Sequence, residues 1–275
     1  MKNLIIALSF LITVSCQTKV ENQKEASNEL PKITAANHYA LMNEWVGNPK
    51  YEIKTVGILV YDGVNELDFN GPFYVLRQLW GVDIQLIGIK PGSFKTVMGI
   101  EVMPHTVIDS VDQLDILVIP GGFKGTILGA YDEELHHWIR KIDQNTVFTA
   151  SVCTGGWILA ATGLLEGKKA TTNWYRAEEM LAKYGATFVN DRYTRDGKYW
   201  TSAGVTAGMD MSLAIMDEIY GEDYTQGVML DMEYDPAPPV EGGSPEKTKP
   251  EVLNMMQAMY DMGVQPLIDS LDNVK

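Results

Sequence analysis

The sequence predicts an α/β fold, a parallel-sheet sandwich with a cysteine on a strand-to-helix turn of the nucleophile-elbow type. Three observations predict it. Thr55–Tyr61 (TVGILVY) and Asp115–Pro120 (DILVIP) are continuous apolar runs, as expected of strands buried on both faces. Helix-period segments alternate with such runs along most of the chain. In TVFTASVCTGG (Thr146–Gly156), the strand Val147–Ala150 leads almost directly into a helix over Trp157–Leu165, and Cys153 falls on the turn between them.

Taken in order, Met1-Lys2 followed by the apolar run Leu4–Val14 and Ser15-Cys16 reads as a bacterial lipoprotein-type signal over residues 1–16, with Cys16 the lipidated residue. The apolar run is too short to span a bilayer. Residues 17–50 read as a polar tether ending in a docking arm around His38–Val46. The main domain is placed at 51–240. Its strands and helices begin with Thr55–Tyr61 and a helix opened by Gly71-Pro72 and running to Trp80. A strand at Asp83–Ile89 and a hairpin about Gly99 within Lys95–Pro104 come next. After Asp115–Pro120 and a helix over Tyr131–Asp143 comes the Cys153 unit. A short strand at Lys169–Thr172, a helix at Tyr175–Tyr184, a hairpin over Phe188–Ser202 about Asp196-Gly197 and a helix at Thr206–Tyr220 complete the domain. Residues 241–275 form a loop and helical tail, with a helix pair expected over Val252–Leu271, interrupted at Gly263 and Pro266. Met255, Met256, Met259 and Met262 form a stripe expected to pack on the domain or on a second subunit.

The 275 residues are 45% hydrophobic, enough for an ordinary core, and carry a formal charge of −14, which argues against a nucleic-acid partner. Loss of Cys16 to lipid leaves Cys153 as the one free thiol, so no disulfide framework is available. His136 and His137 are adjacent and point to different helix faces, and His105 stands alone, so no metal site is assigned.

Cys153 at a helix N-terminus suits a thiolate. Lowering a thiol from about 8.5 to about 6 requires roughly 3.4 kcal/mol, whereas a helix terminus supplies about 0.3–1 kcal/mol. Direct N–H donors or a side chain must therefore assist. Sites of open parallel sheets lie at the carboxyl ends of strands, where Asp62–Asp68, Pro120-Gly121-Gly122 and Cys153-Thr154 are found.

The blocks ILVYDGVNELDFNGPFYVL, DILVIPGG and SVCTGG, with GVTAGMD at Gly204–Asp210 and EYDPAPP at Glu233–Pro239, resemble the ThiJ/PfpI superfamily of class I glutamine amidotransferase-like, flavodoxin-like domains, and within it the isonitrile hydratase branch. The resemblance covers roughly Lys54–Pro239. It implies Cys153 as nucleophile, Asp68 as its acidic partner and Thr154 as the third catalytic residue. Backbone N–H groups of Gly122 and Thr154 would face developing negative charge, and Gly121, Asn173 and Trp174 would line the substrate pocket. Asp68 is expected to be neutral when Cys153 is charged, with the two titrating as a pair; Glu66 is read as a solvated loop charge. Where many members carry a histidine after two threonines, this chain has Thr171-Thr172-Asn173-Trp174, and Asn cannot act as a base.

The resemblance implies a lyase that adds water to a small isonitrile or related electrophile, without a cofactor, in a homodimer; the signal over residues 1–16 implies that it is held to the cell envelope by its lipid alone. The alternatives are carbonyl detoxification of the glyoxalase or deglycase kind, and a non-catalytic ligand or thiol-oxidation sensor.

Overall fold

A computed structural model describes residues 32–272. The expected signal peptide, Cys16 and most of the tether lie outside the described residues. By its internal contacts the chain divides into two compact units, with the boundary in sequence after Leu41. The helix α1 runs from His38 to Val46, and the second unit holds the sheet.

The sheet begins with β1 (Thr55–Val60), which leads into α2 (Glu66–Leu76) and then β2 (Asp83–Gly88). The helix starts earlier than Gly71-Pro72 suggests. Asn65 caps it, its side chain accepting from the Leu67 N–H at 3.1 Å, so Pro72 lies inside the helix rather than at its start. The small antiparallel hairpin of β3 (Phe94–Lys95) and β4 (Glu101–Val102) follows, then β5 (Thr106–Val107) and β6 (Ile116–Ile119). Two helices come next, α3 (Lys124–Gly129) and α4 (Glu133–Asp143), the second capped by Asp132. The sequence reading missed α3, which is short and lacks a capping side chain.

From there β7 (Phe148–Val152) leads into α5 (Gly155–Ala161), followed by β8 (Lys169–Ala170), α6 (Ala177–Lys183) and β9 (Thr187–Phe188). The next elements are β10 (Tyr193–Asp196), β11 (Tyr199–Ser202), α7 (Ala207–Tyr220), α8 (Glu222–Asp231) and α9 (Pro250–Asp272). The hairpin at Asp196-Gly197 is present, but Phe188 pairs in parallel with β8 instead of joining it.

Seven strands form the main sheet in the order β10-β11-β7-β6-β1-β2-β5, parallel except for β10 against β11. Successive strand residues face opposite sides. Every residue of β6 and β7 is buried, so both faces of the sheet are covered. The helices pack in groups, α2 with α7 and α8, and α5 with α3, α4 and α6. The fold class is the one the sequence predicts.

The tail differs from expectation. It is one continuous helix through Gly263 and Pro266. Its inward face is Tyr260, Val264, Leu267, Ile268 and Leu271, spaced to follow one side of a helix and packed with Ile127, Trp157, Tyr175 and Met180. Met255, Met259 and Met262 are more than half exposed in the single chain, so of the two places expected for the stripe it does not take the one on the domain. Among the described residues no helix is long and apolar enough to cross a membrane.

Candidate active site

The carboxyl ends of β1, β6 and β7, neighbours in the sheet, bring the site together. Cys153 follows β7 with φ 57°, a left-handed conformation that costs a non-glycine residue about 1–2 kcal/mol. Its backbone is held from two sides. The Cys153 N–H donates to the Ser202 carbonyl at 3.0 Å, and Thr172 Oγ1 donates to the Cys153 carbonyl at 2.7 Å. The turn needs glycine at 155, because a Cβ there would lie 2.1 Å from the Ile119 carbonyl oxygen.

Asp68 comes from the first turn of α2 and is fully buried. Its Oδ2 accepts from the Gly121 N–H at 3.1 Å. Oδ1 has no aligned hydrogen-bond partner, yet the carboxyl is near enough to the Cys153 thiol for each to perturb the other. Burial pushes Asp68 up to about 7, against the opposing effects of the thiol and of the Gly121 N–H. Gly121 allows the approach. A Cβ on it would lie 2.7 Å from the Thr154 nitrogen and 2.8 Å from Asp68 Oδ2.

The thiol does not behave as its helix-terminal position suggests. Burial, then the charge of Asp68, push it well above the ordinary thiol range, and the Thr154 N–H and Asn173 oppose that only in part. At 8% exposure, desolvation outweighs the helix terminus and both donors. The resting site near neutral pH therefore holds a thiol beside a carboxyl close to its midpoint, rather than a standing thiolate.

Asn173 stands beside the sulfur. Its Oδ1 accepts from the Tyr175 N–H at 3.0 Å, which turns the amide nitrogen toward Cys153, 3.3 Å from Sγ. It is oriented as a donor and offers no base.

Thr154 contributes through both its backbone and its hydroxyl. Its backbone N–H faces the sulfur. Its hydroxyl donates to the Gly122 carbonyl at 2.8 Å, accepts from the Gly122 N–H at 3.1 Å and meets Thr126 Oγ1 at 3.0 Å. The Gly122 N–H, expected to face negative charge in the site, is thus taken up by Thr154, as the Gly121 N–H is by Asp68. Among the sequence-predicted residues, the thiol, Asp68, the Thr154 N–H and Asn173 converge, while Gly121 and Gly122 shape the turn. Trp174 lines a cleft of about 540 Å³ alongside Asn173.

Glu66 is not a solvated loop charge. It sits in the first turn of α2, accepts from the Met98 N–H at 2.8 Å and from Thr96 Oγ1, and ties the β3–β4 hairpin to the site's helix. Tyr260, from α9, also lines the cleft. Nothing around it in sequence marked it, since it lies in an apolar stripe far from the cysteine turn.

A buried thiol, a carboxyl titrating near neutrality and two N–H donors aimed at the sulfur can together move one proton and hold a covalent adduct.

Residues 54–218 match the family model described as the DJ-1/PfpI family. The chain belongs to the DJ-1/PfpI family. Among DJ-1/PfpI relatives, the isonitrile hydratase of Pseudomonas putida is 37% identical over 199 residues, covering 72% of this chain and 86% of that one. The HTH-type transcriptional regulator CdhR of Pseudomonas aeruginosa is 32% identical over 124 residues, 45% of this chain and 36% of the regulator. The crystal structure of a ThiJ/PfpI family protein from Pseudomonas syringae superposes with a TM-score of 0.77 at 28% identity, covering 90% of this chain and 98% of the other.

Proposed function

We propose that the protein hydrates isonitriles through Cys153. The observation that carries this reading is the pairing of a nearly enclosed thiol with Asp68, a buried carboxyl at about 7, where Asn173 supplies a donor and no base. An isonitrile head group is linear and slim enough to reach a sulfur of such low exposure. The similarity to a hydratase over most of that enzyme's length supports the same reading.

In this mechanism Asp68, ionised, takes the thiol proton as Sγ bonds to the terminal isonitrile carbon. It returns that proton to the same carbon, giving an S-linked thioimidate, R–N=CH–S. Water then adds to the carbon, with one of its protons passing to nitrogen. Expulsion of sulfur releases the N-substituted formamide, and the hydroxyl proton returns to the thiol by way of Asp68. The Thr154 N–H and Asn173 Nδ2 stabilise sulfur whenever it carries charge.

Carbonyl detoxification and thiol sensing fit less well. The first lacks a basic residue at 173. The second calls for an exposed thiol of low pKa, and Cys153 is neither. The test offers isonitriles and methylglyoxal to the purified protein. Formamide production without methylglyoxal consumption is the expected result, and the reverse pattern overturns the reading.

The sequence from Met1 to Cys16 supports placing the enzyme on the bacterial envelope as a lipoprotein. Cys16→Ser should move it from the membrane fraction to the soluble fraction. An unchanged distribution would refute the anchor.

A further inference from the structure

One wall of the site is made by the tail of the chain. The Tyr260 ring lies 4.9 Å from that of Tyr175, 5.3 Å from Trp174 and 5.4 Å from Phe123, measured between centroids. Polar contacts fasten α9 along its length. Tyr175 donates to Asp261 at 2.7 Å, Arg176 to Gln265, and Lys183 to Asp272 at 3.0 Å. Val264 and Ile268, one and two turns beyond Tyr260, are buried. The ring is therefore held in place by the helix that carries it.

Tyr260 is half-buried, and its hydroxyl has no hydrogen-bond partner among the described residues, whereas the neighbouring Tyr175 hydroxyl is engaged. Burial raises the phenol's pKa, and the negative charges of Cys153 and Asp68 raise it further, so the hydroxyl is within electrostatic reach of both. The 540 Å³ cleft opens beside it, with Trp174 and Phe188 also in the lining. The lining carries four charged residues, Asp191, Arg192, Glu246 and Lys247, of which Arg192 is engaged with Asp210 and Glu246 with Asn190. Of the lining residues, Asn173 touches Cys153 Sγ, and Tyr260 is joined to it through Trp174, the residue next to Asn173. Asn173, whose amide nitrogen lies 3.3 Å from Sγ, is itself part of the cleft lining, so the cleft lies next to the sulfur on the Asn173 side.

We propose that this cleft receives the nitrogen substituent of the substrate, that it favours a planar apolar ring, and that Tyr260 determines that choice, its ring against the substituent and its O–H toward the substrate nitrogen. The proposal rests on the isonitrile reading above. Aromatic walls at steep angles to one another, as Trp174 and Tyr260 are at 65°, favour edge and face contacts with a flat guest. The O–H meets the imine-like nitrogen of the thioimidate as a hydrogen-bond donor and transfers no proton.

The experiment compares benzyl with tert-butyl isonitrile, using full-length protein. Tyr260→Phe should lower kcat/KM about tenfold for both and leave their ratio unchanged. Tyr260→Ala, and Tyr260→Leu as a variant that keeps apolar bulk on α9, should lower the benzyl to tert-butyl ratio at least tenfold. A second readout needs no turnover. Native protein should be alkylated at Cys153 faster by N-benzyl iodoacetamide than by iodoacetamide, a preference kept in Tyr260→Phe and lost in Tyr260→Leu. If native protein hydrates neither isonitrile, the functional reading fails, and the alkylation ratio alone decides the role of Tyr260. An alkylation preference that survives Tyr260→Leu overturns the proposal.

Discussion

Cys153→Ala should abolish isonitrile hydration, with kcat/KM falling by at least about 10⁴-fold. In the proposed mechanism the sulfur is the atom to which the substrate carbon bonds, and no second thiol exists among the described residues to replace it. Release of formamide, followed by chromatography, measures the loss. Residual turnover within tenfold of native protein would remove Cys153 from the mechanism. The same position allows a separate check on backbone strain. Cys153→Gly should be as inactive as the alanine variant but thermally more stable than it, because glycine adopts φ 57° without the side-chain penalty.

Asp68→Asn should stabilise the protein while inactivating it. In the fold Asp68 titrates at about 7, against 3.8 in its ordinary state, because it is buried. Below about pH 4 both the folded and unfolded chains carry its proton, so the substitution changes stability little. As pH rises from 4 toward 7 the unfolded chain ionises this carboxyl and the fold resists. Native stability therefore falls relative to the variant, and above 7 the gap is constant at up to about 4 kcal/mol. Denaturant unfolding at pH 4 and pH 8 reads this directly. Asparagine retains the shape but cannot carry the proton, so kcat should drop at least about 100-fold. Alkylation of Cys153 by iodoacetamide at pH 8.5 should meanwhile become faster, because the negative charge that holds the thiol up is gone. Coincident stabilities at pH 8, or an undiminished kcat, would show that Asp68 is not a shared-proton partner of the thiol.

That last result separates the structure from the sequence argument. From the sequence and its resemblance, Asp68 is expected to be neutral when Cys153 is charged, not a charge that holds the thiol up. Motif spacing brings a cysteine and a carboxyl together, but it carries no information on how much water reaches them. At 0% exposure for Asp68 and 8% for Cys153, desolvation decides the order in which the two ionise.

The sheet was legible because β1 and β6 are nearly continuous apolar runs, and the cysteine turn because glycines and small residues surround it. Elements set by single side chains were less so. Asn65 moved the start of α2 ahead of Gly71-Pro72, and with it placed Glu66 on a helix, bonded to the β3–β4 hairpin. In α9, Gly263 and Pro266 looked like breaks, but packing of Tyr260, Val264 and Ile268 outweighs the local preference, and both residues are on the outer part of the helix or against Phe123. In the same helix the methionine stripe does not pack on the domain, because Tyr260 and Val264 hold the inner face, which leaves the second-subunit half of its expectation. Asn173 was visible as a departure from the histidine pattern. That its amide is turned by the Tyr175 N–H to donate to sulfur depends on a loop conformation no motif encodes.

The placement of α9 has a consequence for how such an enzyme diversifies. The cysteine, its carboxyl and the turn that holds them fall within residues 54–218, whereas Tyr260 belongs to a helix that begins at Pro250. The thiol–carboxyl pair and the Tyr260 wall of the cleft are thus encoded in separate stretches of the gene. If the proposed role of Tyr260 holds, mutation or exchange of the last helix alters one wall of the cleft while the strained turn and buried proton pair are inherited intact.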